Sequence, residues 1–236
     1  MRFFIIARKK AIFLIGAAAL TTVLIATGVV LGTVDWEAAG RSVPGRVYSF
    51  TVVIDAGHGG FDGGACGRAT KVHEDGLNLD VAQKLKAELE QAGMTVIMTR
   101  EDENALGSTK TEDMNRRRTI ITNASSDLVL SIHMNFYPDS GCKGPAVFYM
   151  KGSELGQKAA VAVQDALNRG TGGRRRALAE NYFVLRAGEK PCIIVECGFL
   201  SNHEEEQLLI NSEYRTKIAR LIAKGVYDYF DQIGGD

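Results

Sequence analysis

The chain has only four histidines, His58, His73, His133 and His203. Two of them stand where apolar runs end. His58 follows Val52-Val53-Ile54-Asp55-Ala56-Gly57, and His133 lies in Leu128-Val129-Leu130-Ser131-Ile132-His133-Met134-Asn135. A β-branched run that empties into glycines reads as a strand feeding a loop that must approach something closely. Imidazoles at the carboxyl ends of strands stand where α/β folds place their sites. Glu74 is a carboxylate able to join them, and two histidines, one glutamate and an open fourth position form the donor set of a catalytic zinc. Spacing alone does not decide this, since 16 residues separate His58 from Glu74 and 59 separate Glu74 from His133. His73, adjacent to Glu74, could be the ligand instead. A solitary histidine is also more often a hydrogen-bonded structural residue. Asp55 and Asp62 are nearby carboxylates able to orient His58.

A second acid stands out in Pro191-Cys192-Ile193-Ile194-Val195-Glu196-Cys197-Gly198-Phe199-Leu200-Ser201-Asn202. A glutamate ending an apolar strand is out of place unless it is paired or functional. Burial there would raise its pKa toward the range of a general base. A structural ion pair with Arg100 or Arg186 is the competing explanation. Arg174, Arg175 and Arg176, in a glycine-rich loop, read either as carboxylate-binding groups or as a solvated loop.

These groups need elements to position them. Strands are expected at Thr51 to Asp55, Thr95 to Thr99, Leu128 to Ile132, Ala146 to Met150, Phe183 to Leu185 and Ile193 to Glu196. Leu77, Val81, Leu85 and Leu89 recur every four residues, the stripe of a helix, and Gly93 stops it. Helices are also expected over Met114 to Asn123, with Arg116, Arg117 and Arg118 partly solvated, and over Leu155 to Leu167. Asn202 with Glu205 forms a capping box. Tyr214, Ile218, Leu221, Ile222, Gly225 and Tyr229 trace a last helix. Strand and helix alternate, which implies one α/β domain with a mostly parallel, mixed central sheet flanked by helices.

The 236 residues suit one sizeable domain. A formal charge of zero argues against a nucleic-acid partner, which would call for a basic excess. Arg8, Lys9 and Lys10 precede the uncharged stretch Ala11 to Leu31, long enough to span a bilayer. The basic cluster predicts that the bulk of the chain is exported. The apolar stretch exceeds a usual signal-peptide core and lacks a clean cleavage site, which favours an uncleaved membrane anchor over a signal peptide. The expected division is an anchor or signal over residues 1–32, a linker over 33–46 and a catalytic domain over 47–236. Of the four cysteines, Cys192 and Cys197 should face opposite sides of one strand. Cys66 and Cys142 could pair, although mostly free cysteines are expected.

Four blocks occur in order: Ile54-Asp55-Ala56-Gly57-His58-Gly59-Gly60, Glu74-Asp75-Gly76-Leu77-Asn78-Leu79, Ser131-Ile132-His133-Met134-Asn135, and Val195-Glu196-Cys197-Gly198-Phe199-Leu200-Ser201-Asn202. Together they resemble the zinc-dependent N-acetylmuramoyl-L-alanine amidases of the type-3 family, over roughly Val52 to Phe230. The resemblance implies that His58, Glu74 and His133 bind Zn2+ and that Glu196 is the catalytic carboxylate. Asn135 and Arg186 are expected to contact substrate, and Asp55 to support the ligands. The resemblance implies peptidoglycan as substrate and leaves an activator protein unidentified. Ala56 replaces a proline common in the family, and Met134 replaces a small residue. No separate wall-binding domain is visible, and a short anchored form is similar to the sporulation and germination members. Those act on spore cortex and prepare muramic lactam formation. Two other functions compete: a peptidoglycan-binding protein with an inactive amidase-like site, and a cysteine hydrolase using Cys197, which a neighbouring acid opposes.

Overall fold

Six apolar segments form one sheet: β1 (Thr51–Ala56), β2 (Thr95–Met98), β3 (Leu128–Asn135), β4 (Ala146–Met150), β5 (Leu178–Glu180) and β6 (Cys192–Phe199). The computed structural model describes residues 47–234. The strand order is β2-β1-β3-β6-β4-β5, with β4 antiparallel to β6 and every other pair parallel. The helices are α1 (Glu74–Gln91), α2 (Lys110–Asn123), α3 (Glu154–Thr171), α4 (His203–Leu209) and α5 (Ser212–Ile233). This is the expected mixed, mostly parallel α/β domain.

Alternation along the strands divides labour between the sheet's faces. Val52, Ile54, Leu128, Leu130, Ile132, Ile193 and Val195 point to one side and are fully buried in a core with α1, α3 and α5. Burying an aliphatic side chain of this size contributes about 1.5–3 kcal/mol. The intervening residues face α2. Val53, Val129 and Ile194 pack there against Ile121 and Leu185. Toward the carboxyl ends the same face turns polar, with Asp55, Ser131, His133 and Glu196. Parallel register sets Asp55 beside Ser131, Ser131 beside Ile194, and His133 beside Glu196.

Several boundaries differ from expectation. α2 begins at Lys110 because Thr109 accepts a hydrogen bond from the Glu112 N–H and caps it. Phe183 to Leu185 is not a strand. Val184–Arg186 forms a 3-10 turn, and the edge strand is Leu178–Glu180, whose three residues are all exposed. Asn202 caps α4 through the Glu205 N–H, but Glu205 does not reach back to Asn202. Its carboxylate instead accepts from the Phe199 and Gly144 N–H groups. All four cysteines are free, and Cys192 and Cys197 face opposite sides as expected.

The chain divides into two units, Met1–Ala38 and Ala39–Asp236. The first, with the anchor expected over Ala11 to Leu31, lies outside the described residues. No helix among the described residues is long and apolar enough to cross a membrane.

Candidate metal centre

β1, the start of α1 and β3 deliver His58, Glu74 and His133 to one point. One donor atom from each lies within 4.8 Å of the others. His58 Nε2 is 3.4 Å from Glu74 Oε2, and His133 Nδ1 is 2.9 Å from Glu74 Oε1. A tetrahedral zinc with bonds of about 2.0–2.1 Å sets neighbouring donors about 3.3 Å apart, a spacing that a donor set gathered within 4.8 Å can reach. His73 is exposed and stands outside this group.

The surroundings hold each candidate ligand in place. Glu74 is 3% exposed and accepts from the Met134 N–H, the Asn78 side chain and the Ala65 N–H. Asn78 also donates to the Gly57 carbonyl, so one side chain ties the His58 loop to Glu74. His58 Nδ1 stands 3.0 Å from Asp62 Oδ2, which directs Nε2 toward Glu74. The backbone at His58 is left-handed (φ 61°), a conformation costing a non-glycine residue about 1–3 kcal/mol. Gly57 must be glycine, because a Cβ there would lie 2.2 Å from His133 Cε1. A Cβ on Gly64 would lie 2.6 Å from Glu74 Oε2.

Burial alone would raise the Glu74 pKa, but the His133 ring and its charge, then His58, hold it down at about 2. Burial opposes the charge on His133, yet Glu74 lifts it to about 9. The pair is therefore an imidazolium against a carboxylate. A dication bound here would have to displace the proton on His133. Glu196 is different. Burial pushes its pKa up to about 7, with His133 pulling down and Glu74 pushing up. Its Oε2 is buried with no hydrogen-bond partner. It pairs with neither Arg100 nor Arg186.

Asp55 does not orient His58 as expected. It accepts from Thr99 Oγ1 and Ser131 Oγ at 2.7 Å each, and Arg117 Nη1 lies 2.8 Å from it. Burial raises its pKa, but Arg117 outweighs this with the help of the two hydroxyls. Arg117 was expected to be partly solvated, but it is 2% exposed and also pairs with Asp113 at 2.7 Å. Arg117 and Arg100 donate to the carbonyls of the His58 loop.

A cleft of about 250 Å³ opens over His58, His133 and Glu196, walled by Lys110 and Met114 on one side and by Tyr182 and Phe183 on the other. Asn135 ends β3, where its carbonyl accepts from Leu200 N. Arg186 is exposed in the 3-10 turn, and neither residue lines the cleft. Arg175 donates to the Lys143 carbonyl and lies over the Phe199 ring. Cys197 lies on the opposite sheet face, where burial and then Glu196 push its thiol pKa well up, against a nucleophilic role. Glu206 is fully buried and accepts from Ala69 N, Thr70 N and Thr70 Oγ1. It holds the loop between His58 and Glu74. Asn78 was missed, although its place four residues after Glu74 on one helix face is a readable signal.

A half-buried histidine-glutamate cluster at the carboxyl edge of an α/β sheet, with a carboxylate of raised pKa beside it, is the kind of arrangement that metal-dependent hydrolases use. The family model described as N-acetylmuramoyl-L-alanine amidase matches residues 52–228. The germination-specific N-acetylmuramoyl-L-alanine amidase of Bacillus subtilis (strain 168) is 32% identical over 210 residues, covering 85% of this chain and 86% of that one. The CwlD amidase from Clostridioides difficile, solved in complex with the GerS lipoprotein, superposes with a TM-score of 0.75 at 31% identity, covering 80% of this chain and 100% of that one. The catalytic domain of CwlV from Bacillus (Paenibacillus) polymyxa var. colistinus gives a TM-score of 0.70 at 30% identity, covering 77% and 98%. The chain belongs to the type-3 N-acetylmuramoyl-L-alanine amidases. It is a peptidoglycan amidase of a zinc-dependent family, and the family's work on the cell wall places it outside the cytoplasm.

Proposed function

We propose that His58, Glu74 and His133 hold zinc and that Glu196 moves the proton in hydrolysis of the amide between the lactyl group of N-acetylmuramic acid and L-alanine. Zinc held there supplies Lewis acidity toward a carbonyl oxygen and water. Glu196 takes a proton from water and passes it to the leaving amine. The observation that carries this role is its buried, unpartnered Oε2, beside His133 in register. A carboxylate raised to about 7 by burial is suited to both directions of transfer. Asn135, on the His133 side of β3, and Arg186, two residues past the cleft residue Val184, are assigned as outer contacts of the polymer.

Glu196→Gln tests the role. Stem-peptide release from peptidoglycan, followed by mass spectrometry, should fall about 10²–10⁴-fold. Release at the normal rate sinks the assignment. Wild-type turnover should also fall as pH drops through an acid limb, because Glu196 must be deprotonated to accept. A bound dication pulls that limb below 7.

The 32% identity to the germination-specific relative supports action on spore cortex, ahead of muramic lactam formation. Loss of lactam from the cortex of a deletion strain is the expected phenotype, and normal lactam content would exclude this role. We assign residues 1–32 as a membrane anchor, 33–46 as a linker and 47–236 as the catalytic domain. Recovery of the full chain in the soluble exported fraction would refute the anchor. The lipoprotein complex of the solved CwlD amidase supports an extracytoplasmic protein partner here too. Full activity of the purified chain alone would make such an activator unnecessary.

A further inference from the structure

The His58 loop is gripped from below by two buried guanidinium groups. Arg117 reaches from α2 to the carbonyls of Ala56 (2.6 Å) and His58. Arg100, following β2, reaches the carbonyls of Ala56 (2.9 Å), Gly57 (2.9 Å) and Asp75 (2.8 Å). Three consecutive carbonyls are thus fixed where the backbone turns left-handed at His58, and a fourth is fixed next to Glu74. Neither arginine is free to leave. Asp55 and Asp113 bracket Arg117 at 2.8 and 2.7 Å, and Arg100 is 3% exposed. A planar fork of five donors can serve two carboxylates and two carbonyls at once, which a single ammonium cannot do.

We infer that Arg117, with Arg100, is a positioning residue that sets the backbone of His58 and thereby the affinity of the metal site. The inference rests on the metal-binding role of His58, Glu74 and His133. Neither arginine contacts the ligand atoms. Each acts through the carbonyls of the loop that carries His58, as partners behind a ligand do when they fix its orientation.

The test is Arg117→Lys in the full chain, which keeps a cation against Asp55 and Asp113 but loses the fork. Zinc affinity, measured by competition with a chromophoric chelator, should fall about 10–100-fold. The visible absorption band of the cobalt-substituted protein should shift, with far-UV circular dichroism unchanged. Leu167→Ala, in the core on α3, serves as control: it should lower Tm and leave both metal readouts alone. If Arg117→Lys does not fold, Arg100→Lys leaves the Asp55–Arg117–Asp113 cluster intact and is judged by the same readouts. Wild-type zinc affinity and an unshifted cobalt band in a folded variant overturn the positioning role. A wild-type chain that binds no zinc overturns the metal reading itself, and this inference with it.

Discussion

The two faces of the sheet are built from the same three central strands but stabilised by opposite rules. Toward α1, α3 and α5, residues such as Ile54, Leu130 and Ile193 are 0% exposed and need only volume and contact. Toward α2, Asp55 and Ser131 are as deeply buried but need partners. Asp55 has three, and Ser131 is one of them. A buried polar group costs free energy when unmatched. On these strands Glu196 is the one residue with an orphaned buried oxygen. The contrast teaches that period-two alternation lets one strand set carry the fold on one side and a reactive site on the other. On the polar side, the missing partner falls on the group proposed to move the proton.

The sharpest way to break this contrast is Arg117→Met. It leaves Asp55 and Asp113 buried without a counter-charge and should cost about 3–5 kcal/mol in urea unfolding. A loss below 1 kcal/mol would mean that the polar face is not held by pairing. Acid comes next. The folded-state pKa of Glu74, about 2, lies below the ordinary 4.5, so its stabilisation is complete above pH 4.5 and disappears as pH falls toward 2. In chelator-treated protein this should appear as a loss of at most about 3 kcal/mol across that window, read from urea midpoints. A flat profile would argue against the Glu74–His133 pair. Gly57→Ala drives a methyl group into the His133 ring and should cost about 1–3 kcal/mol and weaken zinc binding. An unchanged zinc affinity would show that the ring has room to move. On the apolar face, Ile132→Val should cost only about 0.5–1.5 kcal/mol and leave zinc affinity untouched. Any effect on the metal there would dissolve the separation of the two faces.

What could be read from the chain follows the same division. β1, β3, β4 and β6 were legible as apolar runs, and α1 and α5 as four-residue stripes, because burial there is hydrophobic. β5 was not, since Leu178–Glu180 is an exposed edge with no alternation to detect. α2 was half legible. Its buried positions, Asp113, Arg117 and Ile121, do recur every four residues, but two of the three are charged and no hydrophobic period reveals them. That is why the middle arginine of Arg116-Arg117-Arg118 reads as solvated. The two histidines of the candidate metal centre were legible as strand ends. Which aspartate faces His58 was not, because the left-handed turn at His58 carries the ring away from Asp55 and toward Asp62. Nothing in the structure explains the alanine at position 56, since a proline carbonyl could accept the same two arginine bonds.

Glu206 fastens the loop between His58 and Glu74 from 136 and 137 positions further along the chain. Contacts of such sequence separation form late, because a long loop must close before they contribute. During synthesis, His58 and Glu74 leave the ribosome long before the residue that braces their loop exists. Partial translation products and chains clipped ahead of residue 206 should therefore be inert toward peptidoglycan. A wall-cutting enzyme built this way should gain its activity only once the chain has been made past Glu206.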